Sequence, residues 1–206
     1  MAIEAVSREN AVLLDLQMVC ERISRVPQAT IAKLEGFARG GGHELALALD
    51  MRFAARGKYK FMQMEVGMGI LPCGGGASRM ARQTGLGKAL EIILSANDYD
   101  ADDAERFGTI NKALEPDEIG PYVDALARRI SKFPAASINA CKQMVYESID
   151  KPIEEALKAE AYWLYQATSK TPAIKRFTVA DEQGLEHDIE NQRNWGDLVM
   201  KVQDIN

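Results

Sequence analysis

An apolar stripe at helical spacing marks the beginning of the chain. Its members recur at steps of four and three residues, which places them on one face of a helix. The stripe comprises Val12, Leu16, Val19, Ile23 and Val26. The pattern predicts a helix over residues 4–25 that ends at Pro27, because the residue before a proline disfavours helical backbone angles.

The same periodicity returns after Pro116 and continues to the end of the chain. Helices are predicted over residues 116–131, 134–148 and 152–168, followed by two further helical segments. No strand pattern interrupts them. We therefore expect an all-helical C-terminal region.

Short apolar segments alternate with glycine-rich turns in between. Strands are predicted over residues 29–34, 51–55 and 109–114, with a strand and a loop over 61–70. Helices are predicted after the glycines at 40–42 and 74–76, and a short one begins at an Asp100 cap and ends at Gly108. Such alternation predicts an α/β fold. We place the α/β core at residues 1–132 and the helical region at 133–206.

Charge and cysteine usage narrow the function classes. The net charge of −5 argues against a nucleic-acid partner and against a basic membrane-binding surface. No signal peptide and no apolar run of about 20 residues is visible. The three cysteines Cys20, Cys73 and Cys141 are far apart and have no metal-ligand spacing. We expect a cytoplasmic protein without a metal site and without a membrane partner.

The segment GFARGGG at residues 36–42 is the first candidate for chemistry, since it leads directly into a helix. Glycines permit close backbone approach, and a helix start presents N–H groups without partners. Neither a P-loop lysine nor a G-x-G-x-x-G pattern is present, so an oxyanion hole is favoured over a phosphate cradle. From the residues alone, a tight strand-to-helix connection without any ligand is equally well supported.

Two glutamates are the second candidate. Glu44 lies in the first helical turn after the glycines, where complementing the helix dipole, worth about 0.3–1 kcal/mol, is by itself the favoured interpretation. Glu65 lies in the otherwise apolar FMQMEVGMGILP, a setting in which a carboxylate usually has a partner or a task. A salt-bridged or solvent-facing Glu65 remains an alternative.

The histidines and Cys73 are weaker candidates for catalytic residues. His43 precedes Glu44 and points to a different face of the helix, so we interpret it as a packing or pocket-edge residue. Neither His43 nor His187 completes a Ser/His/Asp or Cys/His arrangement. For Cys73, which adjoins the second glycine run, a buried or half-buried inert thiol is favoured over a reactive one.

Residues 27–114 resemble the enoyl-CoA hydratase/isomerase (crotonase) family. The motifs PQATIAKLEGFARGGGHELALALDMRFAARGKYKFMQMEVGMGILPCGGGASRMARQTG and GLGKALEIILSANDYDADDAERFGTINKAL follow the family pattern in order and spacing. Met64 stands where a proline is usual before the second glutamate, and Cys73 replaces the first glycine after Pro72.

The resemblance implies a spiral core of repeated ββα turns followed by a C-terminal oligomerisation region. It implies an acyl-CoA thioester as substrate, no cofactor beyond the CoA of that substrate, and a homotrimer or homohexamer. Gly41 matches an oxyanion-hole donor, and Ala38 is assigned with it to substrate binding. Glu44 and Glu65 match the catalytic glutamates, of which isomerases tend to keep Glu65.

The family's other oxyanion donor belongs to a Gly-Ala-Asp-like motif that residues 1–26 do not contain. We expect the N-terminal part of the fold to be missing, because the sequence is a fragment, because a segment was lost, or because this branch has shed part of the site. Arg39, Arg79 and Lys88 are the candidates for contacts with CoA.

Three hypotheses follow from the resemblance. The first is a hydratase that adds water to a 2-enoyl-CoA by means of Glu44 and Glu65. The second is an isomerase or another crotonase-type reaction that relies on Glu65. The third is a catalytically silent acyl-CoA-binding or oligomer-forming subunit.

Overall fold

Pairs of strands, each followed by a helix, form the first part of the molecule. The computed structural model describes residues 7–184 and 188–204. It divides into two compact units, one formed by the described residues up to Val26 together with Thr30–Val123, the other by Pro27–Ala29 and the described residues from Asp124 on. The assignment of residues 1–132 to a spiral core and of residues 133–206 to an oligomerisation region stays a prediction.

The strands are short and distributed over two sheets. They are β1 (Ile31–Leu34), β2 (Phe37–Arg39), β3 (Met51–Ala55), β4 (Lys60–Met62), β5 (Tyr99–Asp100) and β6 (Lys112–Leu114). The first sheet has the order β1-β3-β6 and is parallel, and the second has the order β2-β4-β5. In the second sheet β2 and β4 are parallel, whereas β4 and β5 are antiparallel.

Helices of the first unit precede or connect these strands. They are α1 (Asp15–Ser24), α2 (Gly41–Leu47), α3 (Gly76–Thr84), α4 (Leu86–Ser95) and α5 (Ala101–Phe107), and α6 (Ile119–Ser131) follows β6. Because β1 pairs with β3 while β2 pairs with β4, each successive ββα turn adds one strand to each sheet. The predicted α/β fold is confirmed.

Large buried side chains fill the space between the sheets and the helices. The largest of the almost completely buried side chains are Tyr59, Phe61, Leu47, Met80 and Ile92. Small buried residues such as Ala54 and Ala104 let the backbone segments approach closely. This core fixes the starts of α2 and α3, the two helix starts at which the candidate site is built.

A buried arginine ties the end of α2 to the first sheet. Arg52 of β3 donates through Nη1 to the carbonyl of Ala46 in α2 at 3.3 Å and to that of Leu49 just after it at 2.5 Å. Its Nε donates to the carbonyl of Thr109 at 2.7 Å. Carbonyl groups at a helix end have no partner within the helix, so a buried guanidinium can satisfy several of them at once. Arg52 thereby holds α2 in place.

Several predicted boundaries are confirmed. The strand β3 is the predicted segment 51–55. Asp100 caps α5, because its Oδ1 accepts from the N–H of Asp103 at 2.9 Å. Gly108 ends that helix with a φ of 81°, a left-handed conformation that glycine adopts without steric cost.

Other boundary predictions are wrong. The helix predicted over 4–25 is a 3₁₀ turn at Arg8–Asn10 and then α1, because extended Leu14 donates its N–H to the side chain of Gln17 and begins the helix there. Its part at residues 4–6 lies outside the described residues. The predicted loop 36–42 contains β2, whose backbone pairs with β4. The last strand begins at Lys112, since Thr109 still bonds to the end of α5.

The second unit is helical in its described residues, as predicted. Its helices after α6 are α7 (Ala135–Ser148), α8 (Ile153–Thr168), α9 (Ala173–Glu182), α10 (Ile189–Arg193) and α11 (Trp195–Leu198). A 3₁₀ turn at Lys201–Asp204 follows. Within the described part of the chain, no helix combines the length and apolar character needed to cross a bilayer.

Candidate active site

Glu44 is held by the backbone of a neighbouring helix start. Its side chain is 2% exposed, and its Oε1 accepts hydrogen bonds from the N–H groups of Gly74 at 2.7 Å and Gly76 at 2.8 Å. These donors lie at the start of α3, so the carboxylate stabilises the positive end of that helix as well as its own. The dipole interpretation therefore describes only part of what Glu44 does.

The glycines around Glu44 are required by close approach. A β-carbon at Gly74 would lie 2.8 Å from Glu44 Oε2, and one at Gly76 would lie 2.7 Å from Glu44 Oε1 and 2.9 Å from Pro72 Cβ. Any larger residue would displace the carboxylate or the turn. The second glycine run thus forms the seat of Glu44, a role that its position before a helix did not reveal.

Glu65 begins the 3₁₀ turn Glu65–Met68 that follows β4, and it is 8% exposed. The solvent-facing alternative is therefore excluded. Burial raises the pKa of the Glu65 carboxyl, a hydrogen bond from its own backbone opposes that rise, and the charge of Glu44 adds to it. The charge of Glu44 thus acts on the Glu65 carboxyl in this part of the fold.

The glycine loop brings Glu65 against the start of α2. Gly40 has a φ of 52°, and a β-carbon there would lie 2.9 Å from Glu65 Oε1. The N–H of Gly40 is bonded to the carbonyl of Met62 at 2.9 Å. Gly41 follows as the first residue of α2, where an N–H has no acceptor within its own helix.

Leu16 of α1 lies over this glycine loop. A β-carbon at Gly41 would lie 3.2 Å from Leu16 Cδ2, and one at Gly74 would lie 2.5 Å from the same atom. A salt bridge also joins α1 to α3, because Glu21 Oε1 pairs with Arg79 Nη2 at 2.6 Å. Sequence reasoning assigned Leu16 only to the apolar face of a helix.

Ala38, assigned to substrate binding, lies in the middle of β2 and pairs in register with Phe61 of β4. It is buried in the core cluster of this unit. Its assignment and that of Gly41 stay predictions.

His43 and Gln63 are buried between the core and the carboxylates. His43 stacks on Phe61 with ring centroids 4.5 Å apart, as its packing interpretation predicted. Gln63 is fully buried beside His43, with 3.3 Å between its side-chain amide and His43 Nδ1. Sequence analysis missed Gln63, because its neighbours His43 and Glu65 are brought to it by the fold.

The candidates for CoA contacts all have acidic partners. Arg39 forms two hydrogen bonds with Asp98, at 2.9 and 2.6 Å, and Lys88 pairs with Glu91 at 2.5 Å. Arg79 pairs with Glu21 as described above. Their role toward CoA stays a prediction.

The prediction that Cys73 is buried or half-buried is wrong. Its side chain is exposed, because the turn between Pro72 and Gly74 directs it outward while the glycine backbone faces Glu44. Among the described residues, no group of three or more His, Cys, Asp or Glu side chains could hold a metal ion. His187 lies outside the described residues.

Comparison with known proteins identifies the family of the chain. The family model for enoyl-CoA hydratase/isomerase matches residues 2–195. A crotonyl-CoA hydratase of Syntrophomonas wolfei is 38% identical over 145 residues, which cover 70% of this chain and 55% of that protein. A short-chain-enoyl-CoA hydratase of Clostridium acetobutylicum is 35% identical over 143 residues, which cover 69% of this chain and 54% of that protein.

The fold also has solved counterparts. The structure of an enoyl-CoA hydratase subunit I from Geobacillus kaustophilus superposes with a TM-score of 0.76 at 28% identity, covering 82% of this chain and 65% of that one. The chain spans about half the length of the curated relatives named above. From the extent of the family match together with these relatives, the chain belongs to the enoyl-CoA hydratase/isomerase family.

Proposed function

We propose that this chain carries the acid/base half of an enoyl-CoA hydratase site and adds water, in a syn addition, to the double bond of a 2-enoyl-CoA. The observation that carries the proposal is the pairing of two buried glutamates, Glu44 and Glu65, beside the glycine loop at the start of α2. The names of the curated relatives support an enoyl-CoA thioester as the substrate class.

The two carboxyl groups suit different tasks. Glu44, fixed by two backbone N–H groups, would take a proton from water as the water oxygen bonds to C3. Glu65, whose pKa is raised, would deliver a proton to C2. One water is added in total, and a proton then passes from Glu44 to Glu65 to restore the starting state. No electrons are transferred, so the reaction needs no redox cofactor.

The N–H of Gly41 would stabilise the enolate-like charge on the thioester oxygen. It lies at the positive end of α2, next to Gly40, against which Glu65 is placed. Loss of one oxyanion donor typically costs on the order of 10²–10³ in rate. Ala38, in the strand β2 just before this loop, would help to shape the surface that the substrate contacts.

The test is loss of conjugated-enoyl absorbance with short and medium 2-enoyl-CoA thioesters. Glu44→Gln and Glu65→Gln keep the size of each side chain, and each is expected to lower kcat by about 10² or more, the usual contribution of a general acid or base. Glu155→Gln, at an exposed position of α8, is the matched control and should leave kcat unchanged. Full activity of both site variants would refute the proposal.

A second candidate is binding of acyl-CoA without turnover. The observation in its favour is Leu16, whose side chain lies over Gly41, where the thioester oxygen would have to bind. Calorimetric binding of a saturated acyl-CoA together with absent hydration would support this candidate. If only Glu65→Gln abolished turnover and 3-enoyl-CoA gained conjugation, the reaction would be an isomerisation instead.

We also propose that the helical unit assembles the chain into a homotrimer or a homohexamer. Large apolar side chains of α8, among them Ile153, Leu157 and Tyr165, are exposed in the single chain. Light scattering after size exclusion tests this proposal. Leu157→Glu should reduce the mass toward one chain, whereas Lys158→Glu on the same helix should not.

A further inference from the structure

Gln63 links a histidine to a catalytic carboxylate. Its side chain is fully buried, and its amide lies within hydrogen-bond distance of both His43 and Glu65. With the amide oxygen toward His43, that oxygen accepts from Nδ1 at 3.3 Å, and the amide nitrogen donates to Glu65 Oε1 at 3.2 Å and to Oε2 at 3.0 Å. Three buried polar groups are then connected in one line.

The opposite orientation of the amide leaves the carboxylate without this donor. The Gln63 nitrogen would face His43, and its oxygen would face the oxygens of Glu65, so that acceptors would be opposed. An unpaired buried polar group typically costs about 1–3 kcal/mol. When Glu65 is ionised, the first orientation is therefore the stable one, provided that His43 presents a proton on Nδ1.

The surroundings of His43 supply that condition. The ring is 1% exposed and stacked on Phe61, so it cannot turn toward water. Burial, with the positive charge of Arg52 adding to it, lowers the pKa of His43 to about 3, so the ring is neutral and carries one N–H. Nε2 has no hydrogen-bond partner among the described residues, which leaves Gln63 as the acceptor for a ring proton on Nδ1.

We propose that His43 is a positioning residue, which holds the Gln63 amide in the orientation that donates to the Glu65 carboxylate. The inference rests on the proposed role of Glu65 as the proton donor to C2. Hydrogen bonds to a carboxylate favour its charged form and fix its direction. They counter the effect of burial, so that Glu65 can both lose and regain a proton within one turnover.

Charged groups of two elements act on the hydrogen-bonded residues His43, Gln63 and Glu65. Arg52 of β3 acts on His43, and Glu44 of α2 acts on Glu65. The Gln63 amide, and not Arg52 or Glu44, bonds to both His43 and Glu65. An effect of His43 on Glu65 through Gln63 should therefore also appear when Gln63 itself is changed, which makes the link testable.

The experiment is a titration of the Glu65 carboxyl by ¹³C NMR, with the resonance assigned by Glu65→Gln. His43→Leu removes the donor, whereas His43→Asn keeps an N–H close to the position of Nδ1. We expect the titration midpoint of Glu65 to rise by about one pH unit in His43→Leu, the equivalent of one hydrogen bond to a charged group. His43→Asn should stay near the wild-type midpoint.

An unchanged midpoint in His43→Leu, or an equal rise in His43→Asn, would overturn the proposal. If His43→Leu does not fold, Gln63→Met removes the donor to Glu65 at similar volume and should raise the midpoint of Glu65 equally. An unchanged midpoint in Gln63→Met would also overturn the proposal. The titration needs no turnover. Absent hydration by the wild-type protein therefore counts against the proposed function alone, while the midpoints still decide the role of His43.

Discussion

Leu16 and Gly74 are in such close contact that a β-carbon at residue 74 would lie 2.5 Å from Leu16 Cδ2. The same leucine lies over Gly41, the proposed oxyanion donor. Leu16 is only partly buried, and its side chain does not belong to the core cluster of this unit. An acyl thioester that reaches Gly41 must displace it.

Leu16→Ala should therefore strengthen acyl-CoA binding. We expect the Kd for a short acyl-CoA, measured by calorimetry, to fall by about tenfold, because the displacement of one apolar side chain of this size costs about 1.5 kcal/mol. The free energy of unfolding should fall by about 1–2 kcal/mol, less than for a core leucine. Val19→Ala, at an exposed position of α1, is the control. An unchanged Kd in Leu16→Ala would show that α1 does not limit access.

Periodic patterns predicted the elements well where one face of the chain is buried. The strand β3, the helices α7 and α8 and the Asp100 cap follow from apolar spacing and from local hydrogen bonds. Glu65 could be singled out because charged residues are rare in apolar surroundings, and Glu44 because it lies in the first helical turn after the glycines. These signals are local in the sequence.

What the sequence did not reveal depends on contacts between distant segments. Glu44 is bonded to N–H groups thirty or more residues away, and Leu16 reaches both glycine runs from α1. The strand β2 was missed because its three residues resemble a loop until β4 pairs with them. Such contacts cannot be predicted from the spacing of residues in the sequence, because only the tertiary fold brings the segments together.

Gly76→Ala should disturb the seat of Glu44. The new β-carbon would meet Glu44 Oε1 at 2.7 Å and Pro72 Cβ at 2.9 Å, so the carboxylate or the turn must move. We expect a loss of about 1–3 kcal/mol in the free energy of unfolding, typical of overpacking, together with a lower kcat. Urea denaturation and the hydration assay measure the two effects.

Gly87→Ala is the matched control for this glycine. Gly87 lies in the first turn of α4, and a β-carbon there would meet no atom within 4 Å. Alanine in a helix is favoured over glycine by up to about 1 kcal/mol, so this variant should be at least as stable as the wild type. Equal losses in the two variants would mean that contact with Glu44 is not the cause.

Glu65→Gln should stabilise the fold at neutral pH while it impairs turnover. The pKa of Glu65 is raised in the folded state, chiefly by burial, so the folded protein holds this proton more tightly than the unfolded chain does. Its contribution to stability is present below the unfolded pKa of about 4.3 and is lost as the pH rises through the folded value. The variant, which has no charge to bury, should gain on the order of 1 kcal/mol at pH 7 and nothing below pH 4. A gain that is independent of pH would contradict this cause.

His43 should weaken the fold in acid. Its pKa is lowered to about 3 in the folded protein, first by burial and then by the charge of Arg52, while an unfolded histidine titrates near 6.5. Below pH 6.5 the unfolded chain therefore binds a proton that the folded chain does not, and stability falls by up to about 1.4 kcal/mol per pH unit until the folded value is reached. His43→Leu removes this proton uptake. The free energy of unfolding of the wild type minus that of the variant, measured in urea from pH 7.5 to 4.5, should therefore fall as the pH falls below 6.5. Parallel curves would mean that His43 accepts a proton inside the folded protein.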